Sequence, residues 1–201
     1  LLLVNRTGTG NFTAGSGSLT LSAGTFVTVN VGYSGVVTGS GLVNGAGLMS
    51  GSVLFGLTSR GQDGTGLSDL TLASQTLSVT ATVYRLAAGA LISNGTVLTN
   101  GSTLSLGATR IGQTFALTTS VDVKNAQIAD AFSEKLDAVI SGTSGSAVGT
   151  GNVSLLSAGD VAGGTLNLGF GGATFATAGI KSGTVLVGFS TNGDGTSGLG
   201  I

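Results

Sequence analysis

The chain has 201 residues, a net charge of −1 and only 7% charged residues. Phosphate recognition and polybasic membrane contact both need clustered Lys or Arg, so nucleic acid and anionic lipid surfaces are excluded as expected partners. With neither cysteine nor histidine, the chain has no disulfide, no thiol nucleophile and no Ser-His catalysis.

Glycine supplies 38 residues and proline none. Glycine without a three-residue period is not collagen, and 41% hydrophobic residues is too apolar for a disordered chain. No apolar run reaches the ~18 residues of a spanning helix. The only Met is Met49 and Leu1 opens inside an apolar run, which leads to the expectation of a processed chain or a portion of a longer one.

Taken in order, Leu1–Arg6 reads as a strand and Gly8–Gly17 as a turn region, followed by a short strand at Ser18–Ser22. Phe26, Val27, Val29, Val31 and Tyr33 mostly alternate with polar residues, which predicts a half-buried strand over Thr25–Tyr33. Residues 34–46 read as loop and Ser52–Ser59 as strand. Leu70–Tyr84 alternates well, with an irregularity near Ser74–Gln75. Ala87–Gly101, with Asn94-Gly95 and Asn100-Gly101, reads as a linker that holds a small strand at Thr96–Leu98. Thr103–Leu106 and Thr114–Val123 follow as strands. Asp122–Asp137 then carries six of the fifteen charges. Its Ile128, Phe132, Leu136 and Ile140 fit an amphipathic helix, while Leu136, Ala138 and Ile140 fit a strand over Phe132–Ile140. Asn152–Ser157, Gly164–Phe170 and Thr184–Ser190 complete the strands.

An internal repeat organises these elements. Gly51-Ser-Val-Leu-Phe-Gly-Leu-Thr-Ser, followed by Asp63-Gly-Thr and Gly66-Leu, returns 132 residues later as Gly183-Thr-Val-Leu-Val-Gly-Phe-Ser-Thr, followed by Asp194-Gly-Thr and Gly198-Leu. Thr28-Val-Asn-Val-Gly-Tyr33 matches Thr165-Leu-Asn-Leu-Gly-Phe170, Ser22-Ala-Gly24 matches Ser157-Ala-Gly159, and Leu2–Gly10 matches Leu136–Ser144. Leu1–Arg6 is too short for a helix, so its counterpart at Phe132–Ile140 is assigned as a strand. Many short strands separated by glycine turns predict an all-β fold of two tandem β-sandwich modules. The expected boundaries are 1–88, a linker at 89–101, and 102–201. The first copy lacks counterparts of the strands over Thr103–Val123, and the second lacks a counterpart of Leu70–Tyr84, so each module is incomplete at one end.

Lys181-Ser-Gly-Thr184, the strand after it, and Asn192-Gly-Asp-Gly-Thr-Ser-Gly-Leu-Gly200 resemble the repeat signature of large secreted bacterial β-strand-repeat proteins. These are grouped with choice-of-anchor proteins and with abnormal-spindle/hydin-like immunoglobulin-like domains. Ala131-Phe-Ser-Glu-Lys-Leu-Asp137 and Gly107-Ala-Thr-Arg-Ile-Gly112 share that pattern. The resemblance covers most of 103–201 and, less closely, 15–84. The first copy departs from it at Arg60-Gly-Gln-Asp63 and Ser68-Asp69. The resemblance implies extracellular immunoglobulin-like sandwiches in tandem at a bacterial cell surface, and no catalytic residues.

Site chemistry is sparse. Asp63 and Asp194 in glycine turns are the calcium candidates, since hard cations take carboxylate and backbone oxygens; the alternative is ordinary Asp-Gly turn chemistry, and the expected cofactor set is none. Glu134 with Asp137, or Asp130 with Glu134, are pairs a glycosidase would need, but Lys124 and Lys135 nearby indicate a solvated polar patch and no enzyme. The glycine runs 8–10, 15–17 and 149–151 lack the Lys-Ser/Thr of a phosphate loop. The acceptor triplets at Asn5, Asn11, Asn94, Asn100 and Asn152 are expected by chance in such a composition. Phe26, Tyr33, Phe55, Phe115, Phe132, Phe170 and Phe189 are expected in the core. The expected partner is the chain itself, head to tail, through a subunit junction at Leu1, Leu2, Leu3, Val4, Val185, Val187, Phe189, Leu199 and Ile201, with surface polysaccharide as a further partner. The function expected is a subunit or segment of an extracellular fibre or biofilm matrix. The alternative is an adhesin or carbohydrate-binding sandwich stabilised by calcium.

Overall fold

The computed structural model of the chain describes residues 1–9, 12–15, 17–33, 45–61 and 66–201. Among them there is no helix, and every pairing between strands is antiparallel. The chain is all-β and divides into two compact units, Leu1–Val83 and Tyr84–Ile201.

The first unit contains β1 (Leu2–Gly8), β2 (Phe12–Thr13), β3 (Ser18–Leu21), β4 (Gly32–Tyr33), β5 (Gly47–Ser59), β6 (Leu70–Thr71) and β7 (Gln75–Val83). One sheet runs β3-β1-β5, with β6 and β7 both on the far edge of β5. The interruption between β6 and β7 is the irregularity expected near Ser74. β2 and β4 form a separate pair. Val4, Met49, Val53 and Phe12 are buried. Phe12 lies against the bare backbone of Gly51, where a Cβ would stand 2.4 Å from its ring. Directly paired residues share a face, so the pairs Val53↔Leu77, Gly51↔Val79 and Met49↔Ala81 place the apolar side of β7 on the same face as Val53 and Met49, where Leu77 remains 49% exposed. Thr76, Ser78, Thr80 and Thr82 cover the other face.

The second unit contains β8 (Gly89–Ser93), β9 (Thr96–Leu98), β10 (Thr114–Asn125), β11 (Lys135–Gly145), β12 (Ala147–Thr150), β13 (Asn152–Leu156), β14 (Val161–Thr174) and β15 (Gly183–Asn192). A five-stranded sheet, β12-β14-β10-β8-β9, faces a three-stranded sheet, β13-β11-β15. Val121, Val123, Leu166 and Leu168 from the first meet Leu136, Ala138 and Val153 from the second in one buried cluster, with Val185 and Val187 packed against it. Alternation fills the space between two sheets with aliphatic side chains, which makes this unit sandwich-like.

The repeat extends to pairing and register. In the first unit Leu2 faces Ser59 and Val4 faces Leu57; in the second the matched residues Leu136 and Ala138 face Thr191 and Phe189. Leu2↔Leu21 recurs as Leu136↔Leu156, and Phe12↔Tyr33 recurs as Ala147↔Phe170. Even a turn is copied: Thr25 N donates to Ser22 O at 3.2 Å and Asp160 N to Ser157 O at 3.1 Å. Each turn has a glycine third, Gly24 (φ 76°) or Gly159 (φ 85°), in the left-handed conformation that type II geometry requires. Thus β3-β1-β5 corresponds to β13-β11-β15, and β2-β4 to β12-β14.

Several expectations are corrected. Residues 89–101 are no linker: β8 and β9 form a hairpin on β10, turned at Asn94-Gly95 with φ 48° and 76°. Thr103–Leu106 is not a strand. Thr25–Tyr33 forms a strand only at Gly32–Tyr33, whereas its counterpart lies in the fourteen-residue β14. β14 is flanked by β10 and β12; among the described residues nothing stands beside β4 as β10 stands beside β14, and alternation without a partner does not make a strand. The core cluster of the second unit is aliphatic rather than aromatic, and in the first unit Phe12 is buried. Phe26 is 92% exposed and Phe189 41% exposed, and Phe55, Phe132 and Phe170 are half-buried. The side chains of Tyr33 and Phe115, the 34–44 loop and the Asp63 turn lie outside what the structure describes. The strand reading of the charged region holds from Lys135 onward, with no helix before it.

Candidate functional site

β15 is ten residues long and carries neither charge nor proline. β11 pairs with it from Gly183 to Asn192, and among the described residues no strand pairs with its other edge. Charged residues, proline and bulges are the usual protections of an edge strand, and the outer edge of β15 has no charge or proline. Val185 and Val187 turn inward to the core. Leu186, between them, is 64% exposed. The Phe189 ring rests on the backbone of Gly89, where a Cβ would come within 2.6 Å.

A set of part-buried polar bonds holds the C-terminal end of β15. The Thr191 hydroxyl accepts from Ala87 N at 3.0 Å and donates to Glu134 Oε2 at 2.9 Å. The Ser197 hydroxyl donates to Glu134 Oε1. Asn192 Nδ2 donates to Asp137 Oδ2 at 2.7 Å, while Asp137 Oδ1 accepts from Leu155 N at 2.7 Å. That bond secures a bulge in β13, where Leu155 takes a left-handed φ of 56°. Asn125, fully buried, donates to the carbonyls of Glu134 and Leu156 and accepts from the N–H groups of Ala88 and Gln127. Arg85 donates to both Asp130 oxygens at 2.9 and 2.8 Å and to Ser133 Oγ at 2.8 Å. The Arg85 guanidinium, aided by the Phe132 N–H, holds the Asp130 carboxyl below the usual carboxylate range.

The expected solvated patch is therefore partly interior: Glu134 is 3% exposed. Its carboxylate and that of Asp137 are spent on structure. The Asp194 turn satisfies itself. Asn192 Oδ1 accepts from Asp194 N at 2.9 Å, and the Gly193 carbonyl accepts from Thr196 N, Gly198 N and Thr196 Oγ1. Among the described residues, no three acidic side chains gather as a metal site needs. Asp63 lies outside them.

The expected junction residues separate. Leu2, Leu3 and Val4 lie on β1, which is paired on both edges through Asn5, so β1 cannot accept a strand there. Leu1, Leu199 and Ile201 are exposed. Val185, Val187 and Phe189 lie on the unpaired-edge strand. Sequence reasoning missed Arg85, Asn125, Thr191 and Ser197. Arg85 had a signal: it is a lone cation in a long uncharged stretch, where burial against a carboxylate is a reasonable use of the charge.

No helix among the described residues is long and apolar enough to cross a membrane. Comparison with protein-family models, curated proteins and solved structures finds no match.

Proposed function

We propose that the chain is a structural protein of the bacterial cell surface or extracellular matrix. It is a subunit or segment of a fibre built from tandem immunoglobulin-like sandwich modules, joined by strand complementation. The observation that carries this reading is the outer edge of β15: long, uncharged, free of proline and hydrogen-bonded through side chains at one end. Such an edge offers a row of backbone donors and acceptors to an extended segment, which is how β-augmentation supplies affinity. A head-to-tail contact that does not close on itself grows into a filament. The low charge and the glycine-, Ser- and Thr-rich composition support a role in packing and adhesion between like modules. The chain is expected to sediment as concentration-dependent oligomers and to form fibres under the electron microscope. A monodisperse monomer at millimolar concentration would overturn the proposal.

A further inference from the structure

The two matched copies differ by a whole strand at one place. β15 corresponds to residues 51–59 of β5. Each is paired on one edge by a matched strand, β11 or β1, in matched register over Leu136–Ile140 and Leu2–Arg6. On β5 the opposite edge is filled by β6 and β7, through Ser59↔Leu70, Phe55↔Gln75, Val53↔Leu77 and Gly51↔Val79. On β15 that edge is unpaired among the described residues.

We propose that β15 takes a partner strand of the chemistry of Leu70–Val83, antiparallel and in the register that β7 takes on β5. This identification rests on the strand-complementation reading above. The register sets a Leu77-like residue opposite Val185, a Gln75-like residue opposite Val187 and a Val79-like residue opposite Gly183. The Leu57 carbonyl accepts from Leu72 N at 2.9 Å, so Leu57 turns its backbone groups toward β6 and β7. Alternation turns those of Val53 and Phe55 the same way. Their counterparts Val185, Val187 and Phe189 therefore present N–H and C=O at the unpaired edge. Val185 and Val187 direct their side chains at the core, so a partner residue directly opposite places its own side chain on the core side. Apolar residues fit there, half-exposed as Leu77 is beside Val53, and a charge would forgo that apolar contact. The intervening residues fall beside exposed Leu186, where hydroxyls suffice. The partner is thus an uncharged strand with Leu- and Val-like residues and one amide on the core side and hydroxyls on the other.

The test mixes the full chain, diluted to where it sediments as a monomer, with a blocked synthetic peptide of residues 70–83. Amide exchange should slow about tenfold or more at Val185, Val187 and Phe189. Cross-links should join Val185 to peptide position 77. The same peptide N-methylated at positions 77 and 79, or with Lys at 77, should lose this protection. Three outcomes overturn the proposal: no slowing at those three amides, equal slowing by a scrambled peptide, or cross-links from Val185 to position 76 or 78. The last would mean pairing through the other edge of the strand, as when a second copy docks by the outer edge of β7. If the peptide fails while the chain still forms fibres, the strand assignment falls and the assembly reading stands. If the peptide binds as described and the chain never associates, the assembly reading falls alone.

Discussion

The Asn125 side chain makes four hydrogen bonds at full burial, using both its donors and its acceptor. Replacing it with alanine leaves two carbonyls and two N–H groups without their partner. Since an unsatisfied buried group costs about 1–3 kcal/mol, Asn125→Ala should lower stability by roughly 3 kcal/mol or more, read as a reduced urea midpoint with unchanged slope. The Asp130 bridge has a pH signature. Because Arg85 lowers the Asp130 pKa in the folded state, the bond adds stability above about pH 4, the unfolded carboxylate value, and loses it as pH falls through the lowered folded value. Asp130→Asn should flatten that part of the acid-unfolding curve, whereas an unchanged curve would show the bridge to be inert. These contacts were hard to read from the sequence. Asn125, Thr191 and Ser197 are ordinary members of a chain rich in Asn, Ser and Thr, and only long-range pairing gives them distinct roles.

Among strands, alternation and repetition were highly legible. Matching Gly51–Ser59 with Gly183–Thr191 anticipated a correspondence that holds residue for residue from Leu2 and Leu136 to Arg6 and Ile140, beyond which β11 shifts register. Errors arose where local pattern and available partner disagreed. Residues 89–101 read as a linker because they hold Gly89, Asn94-Gly95 and Asn100-Gly101, yet β10 provides an edge and the β8–β9 hairpin docks there. Thr25–Val31 has strand alternation but no pairing strand among the described residues. The exposed position at the centre of β15 gives the cleanest variant. Leu186→Lys puts a charge on the edge strand without touching the core, a device proteins use to block edge pairing. It should leave the melting temperature within a few degrees of the parent, since exposed substitutions cost about 0.5 kcal/mol or less. Sedimentation should then show loss of oligomers. Retained assembly would place the contact elsewhere.

The two units differ in how their buried apolar side chains join. In the second they form one aliphatic cluster between two sheets, whereas among the described residues of the first they are Val4, Phe12, Ala14, Ala46, Met49 and Val53, beside one sheet and a separate strand pair. Calorimetry of the full chain should therefore show two transitions, the first unit melting at the lower temperature. Leu136→Ala, which removes a side chain 1% exposed, should cost about 2–5 kcal/mol and move only the upper transition. A single transition shifted as a whole would mean that the units unfold together. The sequence had divided the chain in two, but in the structure the second unit begins at Tyr84, because β8 and β9 belong to it.

Matched register carries a hazard during folding. β1 and β11 present similar hydrogen-bonding frames, so a newly collapsed chain, or two chains at high concentration, can exchange partners, β1 finding β15 and β11 finding β5. The second copy contains features that oppose the exchange. Its β11 shifts register between Ile140 and Gly142, and Leu155 distorts β13 opposite Asp137. The first copy shows no such shift in the β1–β5 or β1–β3 pairing. The bulges thus act as identity marks, allowing a wrong pair to zip only part-way before its frames disagree. Repairing them toward the regular first copy would make the modules more alike and the refolding chain less able to tell them apart.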